Sequence, residues 1–414
     1  LAAHAAVDLG QERGRHLHER QAAQERRRSG RRPVPEPVLC QRGWLVLGPL
    51  RGNGGLENSV YFLKRTVLFG VAGDQLQRTS FETLFTVSKL TGMGLLELAG
   101  NLKNIIAAYR LLRRTLRTRR PRLLILIDFP EFNLRLARLA KKLGVPVLYY
   151  VSPQVWAWRP RRIRQIAQVV DKMAVVFSFE VEFYKRHHMP VEFVGHPLLD
   201  VVRVSQERDP TLREIGLQKE KPVIALLPGS RRKEIAYHLP VMVAAAIELK
   251  RIEQAQFFCV KASTLDRAEL QRELDRADFV IPIVEAGRYN AVNAADLVWA
   301  ASGTATLETA LLEKPMIVVY RVSWVTYWLA RLLVKIKYIG IANIIAGKAI
   351  VPELVQSDLS PERLVHESRA ILNDHDVRRR MIGNLHNLRK QLGAPGAANR
   401  VAELAISLMA PVRA

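Results

Sequence analysis

Three stretches of this 414-residue chain put reactive side chains where a buried strand gives way to a turn. Asp128 ends the apolar run Leu123, Leu124, Ile125, Leu126 and Ile127, which has the composition of a strand covered on both faces. A carboxylate there is desolvated and suited to take a proton, though it could equally cap the next helix or close a structural ion pair. Glu131 is near enough to assist or replace it, or to be a solvated acid of the following helix. In the second stretch, Gly229 lets a ligand approach the backbone and Arg231, after Ser230, offers a forked cation suited to a diphosphate. Arg232 and Lys233 add positive charge at a helix start, where cations oppose the dipole unless an anion lies between them.

The third stretch covers residues 296–320 and reads as a strand over 297–300, a small-residue turn, a helix over 305–312 and a strand over 316–320. Ser302, Gly303 and Thr304 in that turn offer free N–H groups at a helix N-terminus, a natural seat for phosphate. Glu308, expected on the first turn of the helix, could accept hydrogen bonds from a ribose diol. The plainer alternative is an ordinary turn capped by Ser302 or Thr304. His196, after Gly195, could be a general acid or base or a hydrogen-bonding loop residue. His187 and His188 lack a ligand set, and Cys40 and Cys259 lie far apart, so neither metal nor cofactor is expected.

The elements that must position these residues alternate strand and helix from residue 66 onward. Strands are expected over 67–71, 123–127, 145–151, 172–177, 192–194, 223–227, 257–261 and 279–284, and helices over 94–117, 133–143, 366–392 and 397–408, with a further short strand over 44–48. This pattern predicts an α/β protein with two Rossmann-like doubly wound domains facing a central cleft. The boundaries read as an atypical basic N-terminus over 1–64, domains over 65–205 (first unit incomplete) and 206–370, and C-terminal helices over 371–414. Asp128, Gly229 to Arg231 and Ser302 to Thr304 would then all lie beyond the carboxyl ends of strands.

A formal net charge of +24 predicts attraction to a polyanion: nucleic acid, a phosphorylated substrate or an anionic membrane. The run Arg26, Arg27, Arg28, Arg31 and Arg32 is more simply solvated than bound, so no specific nucleic-acid partner is expected. The helix over 94–117 has a basic face of Lys103, Arg110, Arg113, Arg114 and Arg117, suited to lipid headgroups or to water. Trp324, Tyr327 and Trp328 belong to an aromatic helix that is either core or membrane-facing. No apolar run reaches the roughly 20 residues that span a bilayer, and no signal peptide is read at the start, so a cytoplasmic location is expected.

Taken together, IDFPEFN (127–133), YVSPQVWAWRPRRI (150–163), FVGHPLLD (193–200), LLPGSRRKEI (226–235), ASGTATLE (301–308) and IANIIAGKAIVPELVQ (341–356) resemble lipid-A-disaccharide synthase. The likeness runs from about residue 67 to the C-terminus. It implies a GT-B glycosyltransferase, inverting and metal-independent, with an acceptor-side N-terminal and a UDP-sugar-binding C-terminal domain. The implied reaction moves 2,3-diacylglucosamine from its UDP derivative to the 6-hydroxyl of 2,3-diacylglucosamine 1-phosphate. The products are the β-1,6 disaccharide and UDP.

By the same resemblance Asp128 is the general base, and Gly229, Ser230, Arg231, Ser302, Gly303 and Thr304 hold the diphosphate. Glu308 takes the ribose, Asn343 lies near the donor, and Glu131, Asn133 and His196 serve the acceptor or support the site. The family has Asp where Glu131 stands. Its glycine-rich opening, roughly GEASGD, is not found ahead of 67–73. The resemblance further implies peripheral attachment to the anionic cytoplasmic face of the inner membrane, and leaves a homodimer open. Two alternatives remain: a catalytically impaired membrane-associated homologue, or another UDP-sugar transferase or epimerase of the same fold.

Overall fold

The computed structural model describes residues 45–47, 67–77, 79–86, 95–155, 162–333 and 337–409. The arginine run of residues 26–32, the place of the glycine-rich opening, and Trp156, Trp158, Arg159 and Arg161 lie outside them. The first sheet holds β1 (Leu45–Leu47), β2 (Leu68–Ala72), β3 (Glu82–Thr86), β4 (Leu123–Ile127), β5 (Val147–Tyr150), β6 (Lys172–Val175) and β7 (Val191–Phe193). Their order across the sheet is β3-β2-β1-β4-β5-β6-β7. Helix α1 (Leu95–Arg119) connects β3 to β4, α2 (Pro130–Lys142) connects β4 to β5, and α3 (Ser178–Lys185) precedes β7.

The second sheet holds β8 (Val223–Leu227), β9 (Gln256–Val260), β10 (Ile283–Val284), β11 (Leu297–Ala301), β12 (Met316–Tyr320) and β13 (Glu353–Val355), in the order β10-β9-β8-β11-β12-β13. The helices after β7 include α4 (Arg232–Glu253), α5 (Arg288–Ala294), α6 (Thr304–Leu311), α7 (Trp324–Leu333), α8 (Ile341–Ala346), α9 (Pro361–Asn373), α10 (His375–Gln391) and, returning to the first sheet, α11 (Ala397–Met409). This is the two-sheet α/β class expected. β4, β8 and β11 are apolar throughout and buried at every residue, because helices cover a parallel sheet on both faces. Helix α2 buries Phe132, Asn133, Leu136, Ala137 and Ala140 at helical spacing and turns its charges outward.

Three expectations are corrected. β1 pairs antiparallel with both β2 and β4, so the first sheet is mixed, not purely parallel. The slot between β2 and β4 would otherwise leave two rows of backbone groups unpaired, and a short apolar strand fills it in either direction. The helix expected over 366–392 is two helices, parted where the Asp374 carboxylate accepts hydrogen bonds from Asp376 and Val377 N–H (2.8 and 3.0 Å). The strand expected over 279–284 shrinks to Ile283–Val284.

The closing helices serve different cores. Met381, Leu385 and Leu388 of α10 join the apolar core of the second sheet. α11 crosses back, packing Val401, Leu404, Ala405 and Met409 against Leu123, Ile125, Ile127 and Leu148 of the first sheet. Ala405→Asp puts an unpaired carboxylate into that contact. It should lower the unfolding free energy in urea by about 3–5 kcal/mol, against a near-neutral Glu403→Gln control on the exposed side of the same helix.

Candidate active site

Each sheet has one place where the chain's winding reverses. In the first, β2 and β4 flank antiparallel β1 and lead on to β3 one way and to β5 the other; in the second, β8 and β11 lie side by side while β9 and β10 extend one way and β12 and β13 the other. Connections leave such a boundary in opposite directions and open a crevice at the carboxyl ends of the strands. Asp128 follows β4, Gly229 to Arg231 follow β8, and Ser302 to Thr304 follow β11. All three expected stretches therefore sit at switch points.

Asp128 and the adjacent Phe129 both adopt positive φ (50° and 42°), a conformation that non-glycine residues reach at a cost. The surroundings hold them there. Tyr149 OH donates to the Asp128 carbonyl at 2.6 Å, and the Asn133 amide donates to the same carbonyl and to Ile127 O (3.2 Å). Tyr149 and Asn133 are fully buried. Burial, reinforced by the charge of Asp128, pushes the Tyr149 phenol well above its ordinary pKa, so it remains a donor. These bonds use only the backbone of Asp128. Its half-buried carboxylate makes no hydrogen bond or ion pair among the described residues, and the residue at the N-cap of α2 is Phe129, with no side-chain cap. Both plainer readings of Asp128, as a helix cap and as an ion-pair partner, thus find no support.

The other acids at these strand ends are committed. Glu131 forms a forked ion pair with Arg162 (Oε2 to Nη2 2.8 Å). Glu180, wholly buried, accepts from Phe177 N–H at 3.2 Å and from the Ser152 hydroxyl, fastening the segment after β5. Of the two expectations for His196 the geometry fits the hydrogen-bonding one: its Nδ1 accepts from Leu198 N–H at 3.2 Å, and burial pushes its pKa down to about 4. It is neutral at physiological pH and built into the link between the sheets, where its backbone N–H donates to Leu392 O.

At the β8 turn, Gly229 has φ 131°, and a Cβ there would come within 2.6 Å of the Glu234 carboxylate. That carboxylate folds back over the turn. It accepts from Ser230 N–H at 2.8 Å and from Arg231 Nη1 at 3.2 Å. The turn expected to hold a diphosphate therefore already holds an internal anion, as a helix N-terminus favours. His238, which the sequence reading passed over, lies buried beneath it. Arg321 N–H can only donate, so Nε2 accepts from it (2.9 Å) and Nδ1 carries the proton to Pro228 O (2.8 Å). Burial lowers the His238 pKa, which preserves this neutral tautomer.

At the β11 turn, Gly303 takes φ 147° and is itself the N-cap, so neither Ser302 nor Thr304 caps the helix. The Ser302 hydroxyl instead donates to Ile339 O at 3.0 Å. Since α6 begins at Thr304, Glu308 lies in its second turn, not its first. Its Oε1 accepts from Arg288 Nη2 (2.8 Å) and Tyr289 OH (3.0 Å), and Oε2 has no partner among the described residues. Burial pushes the Glu308 carboxyl pKa up and that of the Tyr289 phenol to about 12.

Asn343, expected near the donor, is wholly buried, donating to Val351 O and Glu353 and accepting from Ile350 and Val351 N–H, so its amide frames the loop before β13. Among the described residues no three His, Cys, Asp or Glu side chains gather as a metal site. His238, Tyr149 and Arg288 announce themselves only through contacts between segments far apart in sequence.

Because the folded Glu308 holds its proton more readily than the unfolded chain, the stability it contributes is greatest in acid and fades as pH rises through its raised pKa. Arg288 opposes this. Arg288→Gln should cost about 1–2 kcal/mol at pH 7.5, less than a fully buried pair because Arg288 is half-exposed. At pH 5 the deficit should shrink, as urea unfolding at the two pH values will show.

The chain matches the family model for lipid-A-disaccharide synthetase over residues 49–406, beginning earlier than the motifs suggested. It is 44% identical over 343 residues to the lipid-A-disaccharide synthase of Syntrophus aciditrophicus, covering 82% of this chain and 90% of that protein. Among solved structures it is similar to the glycotransferase of kitacinnamycin (TM-score 0.56, 14% identity, 85% of this chain and 94% of that one). It is similar also to the UDP-GlcNAc 2-epimerase of Neisseria meningitidis, solved with UDP-GlcNAc bound (TM-score 0.53, 12% identity, 80% and 88%). At such identities the two structures speak for a shared GT-B fold and nothing narrower.

Proposed function

Because the chain belongs to the lipid-A-disaccharide synthase family and is thus a glycosyltransferase of lipid A synthesis, we propose that Asp128 is the base of an inverting transfer between two acylated sugars. The donor is UDP-2,3-diacylglucosamine and the acceptor 2,3-diacylglucosamine 1-phosphate. The observation that carries this reading is the uncommitted Asp128 carboxylate at a switch point, among neighbouring acids already paired. Asp128 takes the proton from the acceptor's 6-hydroxyl as that oxygen bonds to the donor's anomeric carbon. The bond from that carbon to the β-phosphate oxygen breaks, and UDP leaves with the electron pair. Attack from the face opposite the leaving group inverts the anomeric centre.

The leaving diphosphate gathers charge, which the N–H groups at the start of α6 and the guanidinium of Arg231 meet. To do so Arg231 must exchange Glu234 for phosphate, an anion-for-anion swap that leaves no cation uncompensated. Glu308 Oε2 is the acceptor left for a ribose hydroxyl, with Oε1 anchored by Arg288 and Tyr289. Binding of UDP-GlcNAc by the Neisseria relative in fold supports a UDP-sugar in the second domain.

Trp324, Val325 and Trp328 on α7 and Leu102 and Ile106 on α1 are exposed, the latter beside exposed Lys103 and Arg110. These faces suit contact with an anionic headgroup layer, where substrates with two acyl chains reside. No helix among the described residues is long and apolar enough to cross a membrane. We place the enzyme peripherally on the cytoplasmic face of the inner membrane.

Asp128→Asn should lower kcat for UDP release by about 10²–10⁴-fold and leave the donor KM within a few-fold. Retention of more than a tenth of wild-type kcat would remove Asp128 from the role of base. Arg231→Gln should act oppositely, chiefly raising the donor KM.

A further inference from the structure

An acceptor bearing a phosphomonoester must be gripped by that group too, since a dianion leaving water needs countercharge where it arrives. One turn beyond Asp128, a cavity of about 130 Å³, roughly four water volumes, opens between α2 and the start of the helix at Ile163–Ala167. Glu131, Arg135 and Arg138 stand at i, i+4 and i+7 on one face of α2, and Arg162 closes the cavity from across. Pro130, two residues from Asp128, forms part of its wall.

The charges are unbalanced. Glu131 is paired with Arg162, whereas Arg135 and Arg138 are exposed and have no hydrogen-bond or ion-pair partner among the described residues. Three guanidinium charges against one carboxylate leave two positive charges, and a phosphomonoester carries about −1.5 to −2 at neutral pH. Helical side chains lean toward their helix's N-terminus, so both free guanidiniums are carried back toward the end of α2 that follows Asp128. Forked guanidiniums also match the spacing of phosphate oxygens.

We infer that this cavity seats the anomeric phosphate of the acceptor, through Arg135 and Arg138 with Arg162 in support, and that the sugar ring extends from it toward Asp128. The inference rests on the acceptor proposed above. It gives that acceptor its orientation: phosphate at the α2 cavity, 6-hydroxyl across the ring at the base.

The test compares the full chain with Arg135→Gln/Arg138→Gln on two acceptors, diacylglucosamine 1-phosphate and the same sugar without phosphate. For the phosphorylated acceptor the variant should raise KM about tenfold or more, with kcat and the donor KM within about twofold. For the other acceptor, wild type and variant should be indistinguishable. An unchanged KM, or an equal loss on both acceptors, overturns the inference. Should the wild type turn over neither acceptor, it is the proposed reaction that fails. The cavity is then judged without turnover, by titrating glucosamine 1-phosphate against glucosamine. Binding of the phosphorylated sugar alone, abolished in the double variant, upholds it; equal binding by the variant overturns it. Displacement of glucosamine 1-phosphate by phosphatidylglycerol vesicles would assign the cavity to a lipid headgroup and likewise overturn it.

Discussion

The site depends on a constraint of winding. When a parallel sheet is built outward in both directions from its middle, the two central connections part company, and the carboxyl ends beneath them are left uncovered. In the second sheet β8 and β11 are those central strands, and the turns after both reach the same gap. In the first sheet β4 borders the corresponding gap, and Asp128 stands at its mouth. No side chain creates these openings. Side chains only decide what chemistry is placed in them.

What is placed there is largely balanced charge. Glu234 occupies the anion seat at the start of α4, Glu308 is buried against Arg288, and Glu131 answers Arg162. Each pair offsets the desolvation that either ion alone would suffer. Asp128 departs from this scheme. Its backbone is held at positive φ by Tyr149 and Asn133, while its carboxylate has no partner among the described residues. Non-glycine residues held at such backbone angles persist only where the surroundings over-determine them.

The two halves are also mechanically joined. α11 belongs to the end of the chain but completes the core of the first sheet. Asp200 accepts from Gly396 N–H at 2.6 Å and the Arg400 guanidinium donates to Val194 O at 2.8 Å, so the return crossing lies along the outward one. His196 is part of that double link, which explains why a histidine after a glycine is buried and neutral here. A lone histidine in a motif says little about its environment: here its ring lies against Phe177 and accepts from Leu198, while its backbone N–H reaches Leu392.

The amino-acid sequence by itself determined the elements and the general chemistry. Continuous apolar runs marked β4, β8, β11 and β12 to within a residue, since strands covered on both faces tolerate few polar side chains. The motifs carried the family, and glycine and small residues marked the turns after β8 and β11 because few other residues accept such backbone angles or close approach. Only the tertiary structure decided which of those residues are free to act. The direction of β1 and the clamp of His238 by Arg321 arise from partners distant in sequence, and the enclosed amide of Asn343 from the loop that folds back over it, whereas the Asp374 break is a local cap. Local pattern records what each segment prefers; whether a polar group is spent or available is a property of what folds against it.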